Sequence, residues 1–271
     1  MKLKYKNYIF DLYGTLVDIH TDENDNAFWS QMTKIYSAYG ADYKPEQMQQ
    51  QYFDLCREEE QELSFKMCIN YPEIKIETVL SKLLINAPAH HACMEKVAAM
   101  QLEDLEKSEW VKVIANTFRA LSRKKLKLFP HTISTLKTLK ENGGKIYLLS
   151  NAQHLFTMAE LEEAGLMDYF DAIYISSDEG MRKPQPQFMK KLLQEQECNP
   201  EESIMVGNDF QSDIGVSASC KVDSIFLNTD KLSLTERKAR MKRIIDDHFE
   251  GYRPYIIESG DIKEMLSIVQ E

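Results

Sequence analysis

The first hydrophobic run of the chain, Tyr8-Ile9-Phe10, is interrupted by Asp11 and resumes as Leu12-Tyr13-Gly14-Thr15-Leu16-Val17. A short apolar run that reaches a glycine reads as a buried strand entering a turn, here over residues 8–17. From Asp18 to Lys127 the pattern changes. Gln, Glu, Met, Lys and Leu dominate, glycine and proline are scarce, and several helices fit between the punctuation at Pro45, Pro72 and Pro88. After Phe129-Pro130, continuous apolar segments alternate with amphipathic ones. Helices are expected over 131–142, 155–164, 186–197, 214–219 and 261–269, the first two closed by Gly143-Gly144 and Gly165. A basic helix is expected over 232–247. Strands are expected over 146–149, 172–175, 203–206, 224–227 and 255–257.

Strands that are apolar throughout, alternating with helices, argue for a doubly wound α/β fold with a parallel sheet covered on both faces. The helical block is too long for a crossover and reads as an inserted helical domain. The expected organisation is an α/β core from residues 1–17 and 127–271, with a helical domain over 18–126.

Composition narrows this further. The 271 residues suffice for one large domain or two smaller ones with a real core and no staples. A net charge of −10 argues against a phosphate backbone as partner, so no nucleic acid is expected. No apolar run approaches the roughly 18–20 residues of a membrane span. Asp11 also breaks the first apolar segment too early for a signal peptide, so no membrane association and a cytoplasmic setting are expected. The five cysteines, Cys56, Cys68, Cys93, Cys198 and Cys220, show no CxxC or zinc spacing and read as free thiols.

Ligands of such sheets bind where strands end. Asp11-Leu12-Tyr13-Gly14-Thr15 follows the first strand and Ser150-Asn151 the second. Arg182-Lys183-Pro184 comes a few residues after the third, and Gly207-Asn208-Asp209-Phe210-Gln211-Ser212-Asp213 follows the fourth. Each alone has an ordinary reading as a turn, a cap or a solvated charge. Together they bring a carboxylate, a hydroxyl, an ammonium and further carboxylates to one mouth of the sheet.

In this order the four segments resemble the motifs of the haloacid dehalogenase-like (HAD) hydrolase superfamily, over about residues 5–17 and 127–230. The resemblance implies a Rossmann-like core, with the inserted helices as a cap that closes over the substrate. It implies Asp11 as the nucleophile that forms an aspartyl-phosphate, and Lys183 as the group that neutralises nucleophile and phosphate. Thr15, Ser150, Asn151 and Lys183 would bind the phosphoryl group. Mg²⁺ would be held by the Asp11 carboxylate, the Tyr13 main-chain carbonyl and an acid of the fourth motif, with Asn208 and Asp213 in support. Asp11, Asp209 and Asp213 against Lys183 give −3 + 1 = −2, which a divalent cation would neutralise before a phosphate entered.

Two positions depart from the family's phosphatases. Tyr13 stands where most carry a second Asp that protonates the leaving group. A phenol of ordinary pKa ~10 is a poor acid near neutrality, and general acid help is worth ~10²–10⁴-fold, so alkyl phosphates should turn over slowly. Asp-x-Tyr-Gly-Thr is the form that 2-haloacid dehalogenases carry, and a halide leaves without a proton. Those enzymes also use an Arg early in the cap, and this chain has none before Arg57. In the fourth motif Asn208 follows the glycine where Asp is usual. Counted back from Asp213, Asn208 fills the metal position; counted by acidity, Asp209 does, and Asp209 is favoured because Mg²⁺ prefers a carboxylate. The leading expectation is a Mg²⁺-dependent phosphatase of a small phosphorylated metabolite. A metal-independent 2-haloacid dehalogenase-like hydrolase and a weakly active or non-catalytic protein of this fold are the alternatives.

Other features have bland readings. Phe28, Trp29, Tyr36, Tyr39, Tyr43, Tyr52 and Phe53 recur at helical spacing and are expected to form the core of the helical block. His90-His91 is read as a surface pair, and the run Arg237 to Arg243 as a solvated helix face.

Overall fold

The computed structural model describes residues 1–90 and 100–271. Numbered along the chain, the strands are β1 (Asn7–Phe10), β2 (Val17–Thr21), β3 (Ala41–Asp42), β4 (Ala89–His90), β5 (Arg123–Leu128), β6 (Lys145–Ser150), β7 (Ala172–Ile175), β8 (Ser203–Gly207), β9 (Asp223–Leu227) and β10 (Tyr255–Ile257). Six of them form one sheet in the order β10-β9-β8-β1-β6-β7, and all its pairings are parallel.

Side chains alternate across β1. Tyr8 and Phe10 join one apolar layer with Leu136, Leu139, Leu148 and Met265, whereas Ile9 joins the other with Phe188, Leu192, Met205 and Val216. Both faces are therefore buried, which is why these strands are apolar without a polar alternation. The register sets Phe10 level with Leu148 and with Val206. The residues that leave β1, β6 and β8 consequently emerge at one edge.

The strand expected to enter a glycine turn over 8–17 does so: β1 ends at Phe10, and Gly14, at φ +86°, turns the chain, its N–H bonded to the Val17 carbonyl at 2.8 Å. A further strand, β2, then starts at Val17. β2 pairs with β5 in an antiparallel ribbon that straddles the expected 17/18 and 126/127 boundaries. β5 lies in a stretch expected to be helical. Its period-two signal is short, with Leu126 and Leu128 packed on the sheet core and Lys125 exposed. Lysine and leucine also favour helix, so only pairing with β2 decides the matter.

Between the ribbon strands, the helices Asn26–Ala38, Pro45–Met67, Ile76–Ile85, Leu102–Glu106 and Glu109–Ser122 enclose their own apolar cluster. Asp25 caps the first of these by accepting from the Ala27 N–H at 2.8 Å, and Pro45 opens the second. Phe28 meets Trp29 and Phe118 edge-on, with ring centroids 4.9 Å apart in both pairs. Of the aromatic residues expected in this core, Phe28, Trp29 and Tyr36 are fully buried and Tyr39, Tyr43 and Tyr52 pack against them, whereas Phe53 only meets the rings of Trp29 and Tyr52. No helix among the described residues is long and apolar enough to cross a membrane.

The basic run behaves differently from a uniformly solvated face. The helix Leu234–Met241 continues as a wider turn over Lys242–Asp246, and Arg237 is buried and ion-paired with Glu258. That guanidinium ties the helix to the chain after β10. Cys56, Cys68, Cys198 and Cys220 are free thiols. His91 and Cys93 lie outside the described residues.

Candidate active site

Asp11 leaves β1 with its N–H bonded to the Val206 carbonyl of β8 at 3.0 Å, which aims the carboxylate off the sheet edge. Lys183 Nζ donates to Asp11 Oδ1 at 2.8 Å and to Asp213 Oδ1 at 2.7 Å. The lysine is 2 % exposed and Asp213 1 %, so the ammonium lies between two carboxylates with almost no water. Burial works against the Lys183 charge, but Asp11 and Asp213 outweigh it and hold the ammonium above its ordinary pKa. Complete burial pushes the Asp213 carboxyl upward as well; the Lys183 charge opposes that push. Gly207 has to be glycine here, because a Cβ would collide with the Asp213 carboxylate.

Four more of the expected residues gather on this pair. Thr15 Oγ1 lies 3.1 Å from Asp11 Oδ2 and 3.3 Å from Asn208 Oδ1. Ser150 ends β6 fully buried, and its hydroxyl has no hydrogen-bond partner among the described residues. Asn151 receives the Lys183 N–H on its Oδ1 at 2.8 Å and donates Nδ2 to the Lys183 carbonyl at 2.9 Å. Its amide is therefore occupied in holding the lysine backbone.

Asp209 is the expected site residue that is turned elsewhere. Its Oδ1 accepts from the N–H groups of Gln211 and Ser212 and from the Ser212 hydroxyl, at 2.6–2.9 Å. It caps the turn Phe210–Ile214, as an acid before exposed backbone N–H groups commonly does. Asn208, one residue earlier, faces the Asp11 loop instead.

The Tyr13 side chain is also drawn away. Its hydroxyl donates to Glu160 and lies 3.2 Å from Thr157 Oγ1. Arg119 grips the Glu160 carboxylate through Nε and Nη2 at 2.8 and 3.0 Å and lies over the Tyr13 ring. Burial and the Glu160 charge push the phenol well above its ordinary pKa. Asp18 turns outward to pair with Lys125.

Three residues beside these, Thr229, Asp230 and Glu73, were not expected from the sequence. Thr229 and Asp230 follow β9 by the same strand-end rule that found the others. Thr229 donates to the Gly14 carbonyl at 2.5 Å, and Asp230 Oδ2 accepts from Asn208 Nδ2 at 3.1 Å. Glu73 comes from the loop after the helix Pro45–Met67, and no local signal marks it. That loop docks beside Lys183: the Arg182 N–H bonds to the Tyr71 carbonyl, and the Glu73 N–H to the Gly180 carbonyl. The Glu73 carboxylate accepts from Ser176 Oγ at 2.9 Å and from Gln153 Nε2 at 3.0 Å.

Burial pushes the Glu73 carboxyl up from its ordinary 4.5 to about 7, with Arg182 opposing and Glu60 adding to the rise. The folded protein thus keeps a proton that the unfolded chain releases. Stability is expected to fall as pH rises from about 4.5 to about 7 and to level off above. Glu73→Gln should flatten that part of the curve; thermal unfolding across pH would show it, and an unchanged slope would contradict the assignment.

A divalent cation fits the oxygens present. Among the described residues no three His, Cys, Asp or Glu side chains form a metal cage. Mg²⁺ does not need one, since it keeps several waters and takes one or two carboxylates. Asp11 Oδ2 and Asn208 Oδ1, a carboxylate and a neutral oxygen, converge on the same Thr15 hydroxyl.

Comparison with known proteins agrees with this fold. The chain is 31% identical over 144 residues to a glyceraldehyde 3-phosphate phosphatase of Methanothermobacter thermautotrophicus, covering 53% of this chain and 59% of that protein. It is 37% identical over 93 residues to the pyrimidine 5'-nucleotidase YjjG of Escherichia coli, covering 33% and 40%. The chain spans about half the length of the curated relatives it matches. In fold it is similar to a 2-haloacid dehalogenase from Pseudomonas syringae pv. Tomato, with TM-score 0.60, 17% identity and 97% and 99% of the two chains covered. It is also similar to a HAD phosphatase from Thermococcus onnurineus, with TM-score 0.55, 15% identity and 99% and 97% covered. The family model for haloacid dehalogenase-like hydrolases matches residues 5–219, and the chain belongs to that family.

Proposed function

We propose that the chain is a Mg²⁺-dependent phosphatase of a small phosphorylated metabolite, working through an aspartyl-phosphate on Asp11. One observation carries the reading. The Asp11 carboxylate is held by a buried ammonium, at the same sheet edge as a buried Ser150 hydroxyl without a partner among the described residues. An unpaired buried hydroxyl costs free energy unless a ligand uses it. The phosphatase names of the curated relatives support the same reading.

In this mechanism an Asp11 oxygen attacks phosphorus as the bond to the leaving oxygen breaks. The Lys183 charge offsets the charge brought together by nucleophile and phosphate, and Ser150 donates to a phosphoryl oxygen. Asn151 acts by fixing the Lys183 main chain, and Thr15 by orienting Asp11. Water then cleaves the aspartyl-phosphate, restoring the Asp11 carboxylate and releasing phosphate. The Asp11 carboxylate, the Tyr13 carbonyl and the Asn208 amide oxygen would hold Mg²⁺, which when bound supplies charge neutralisation at the phosphate. The helical residues 18–126 would serve as the cap over this edge.

Dehalogenation is the weaker reading. Arg57, Arg119, Arg123 and Arg182 are each paired with a carboxylate, so none of these guanidiniums is left for a 2-haloacid. Acetyl phosphate and p-nitrophenyl phosphate, whose leaving groups need little protonation, are the substrates for the test. Phosphate release that requires Mg²⁺ and stops with EDTA is expected. Chloride release from a 2-haloacid unaffected by EDTA, or no turnover of either class, would overturn the proposal.

A further inference from the structure

We propose that Asp230 is a positioning residue of the cation site, fixing the Asn208 amide so that its oxygen, and not its nitrogen, faces the Asp11 loop. The inference rests on the phosphatase reading for the cation but concerns a residue, Asp230, that the reading leaves out.

An asparagine side chain has two ends of nearly equal shape, one a double donor and the other an acceptor. Only the oxygen end can meet a cation; the NH₂ end would turn N–H dipoles toward it. The neighbours of Asn208 discriminate between the two. Asp230 Oδ2 lies 3.1 Å from Asn208 Nδ2, and an ionised carboxylate accepts only. With the amide reversed, two oxygens would face each other at that distance. On the opposite side Asn208 Oδ1 lies 3.3 Å from Thr15 Oγ1, whose hydroxyl is also 3.1 Å from the nucleophile oxygen Asp11 Oδ2. Asp230 therefore selects the orientation that directs the amide oxygen at the Thr15 hydroxyl beside the nucleophile.

Asp230 is itself held in place. Asn228 Oδ1 accepts from the Leu232 N–H at 2.8 Å and its Nδ2 donates to the Leu232 carbonyl at 3.0 Å, which closes the 228–232 turn. Thr229 anchors the turn to the Gly14 carbonyl. Gly14 permits the approach, because a Cβ there would collide with the Asn208 amide.

The test is Mg²⁺ binding by the full chain, by calorimetry and by the Mg²⁺-dependent shift in melting temperature. Partners behind a metal ligand are typically worth ~10–100-fold in affinity. Asp230→Asn, which no longer selects one amide orientation, is expected to weaken Mg²⁺ binding about tenfold, with the melting temperature without Mg²⁺ unchanged. Asn208→Asp offers oxygen at both ends. In that background, Asp230→Asn should produce no loss. Unchanged Mg²⁺ affinity in Asp230→Asn, or the same loss in the Asn208→Asp background, would overturn the proposal, the latter by reducing Asp230 to a bare charge. Absence of Mg²⁺ binding in the unmodified protein would also overturn it. Mg²⁺ binding that follows this pattern without phosphate release would remove the phosphatase reading and leave the role of Asp230 standing.

Discussion

Asp11→Asn is expected to fold normally and to lose phosphate release by at least ~10³-fold, since removing a nucleophile removes the covalent route itself. The replacement keeps the shape of the side chain and an oxygen for the Lys183 ammonium, now 2.8 Å from Asp11 Oδ1, and leaves the Asp213 contact intact. The loss should therefore appear in turnover and not in melting temperature. Acid-quenched protein incubated with labelled acetyl phosphate should carry label in the unmodified chain and none in the variant. Retention of a tenth of the activity would remove Asp11 from the chemistry.

Lys183→Met is expected to be the most damaging single change to stability. The ammonium is buried and bonded to two carboxylates, one of them, Asp213, fully enclosed. Methionine matches its length but leaves both carboxylates to repel each other without a counter-charge. Removing one partner of a buried ion pair costs about 3–5 kcal/mol, and here two partners are stranded. Urea unfolding should show a loss of that order together with loss of phosphate release. A variant as stable as the parent would mean that water reaches this cluster and that burial is not what makes the lysine matter.

The two changes separate chemistry from architecture within one cluster. Asp11 is expected to be replaceable for folding and is proposed to be indispensable for turnover. Lys183 is proposed to serve both ends, and Asn151 holds its main chain on both sides, through N–H and carbonyl.

Much of this was legible in the sequence because it depends on local pattern and on one geometric regularity. Apolar strands alternating with helices imply a doubly covered parallel sheet, and parallel strands all end at the same edge. The polar groups after β1, β6 and β8, and Lys183 beyond β7, could therefore be assigned to one mouth before any distance was known. The aromatic core of the helical block followed from helical spacing in the same way.

What only the tertiary structure decided is the direction of each side chain at that mouth. Asn208 and Asp209 are neighbours leaving one strand, and their chemistry alone favours the aspartate for a cation. Backbone direction sends Asp209 to the N–H groups of Gln211 and Ser212 and Asn208 to Thr15, a difference their order along the chain does not reveal. Asn151 could have faced a ligand, but the Lys183 main chain, 32 residues on, takes its amide. Glu160 holds Tyr13 across 147 residues, and Asp230 meets Asn208 across 22. The β5 strand exists because β2 is there to pair with it. Residue types and their order along the chain determined which groups reach the sheet edge. Which of them face one another was left to through-space hydrogen bonds between distant segments, whose partners local pattern does not encode.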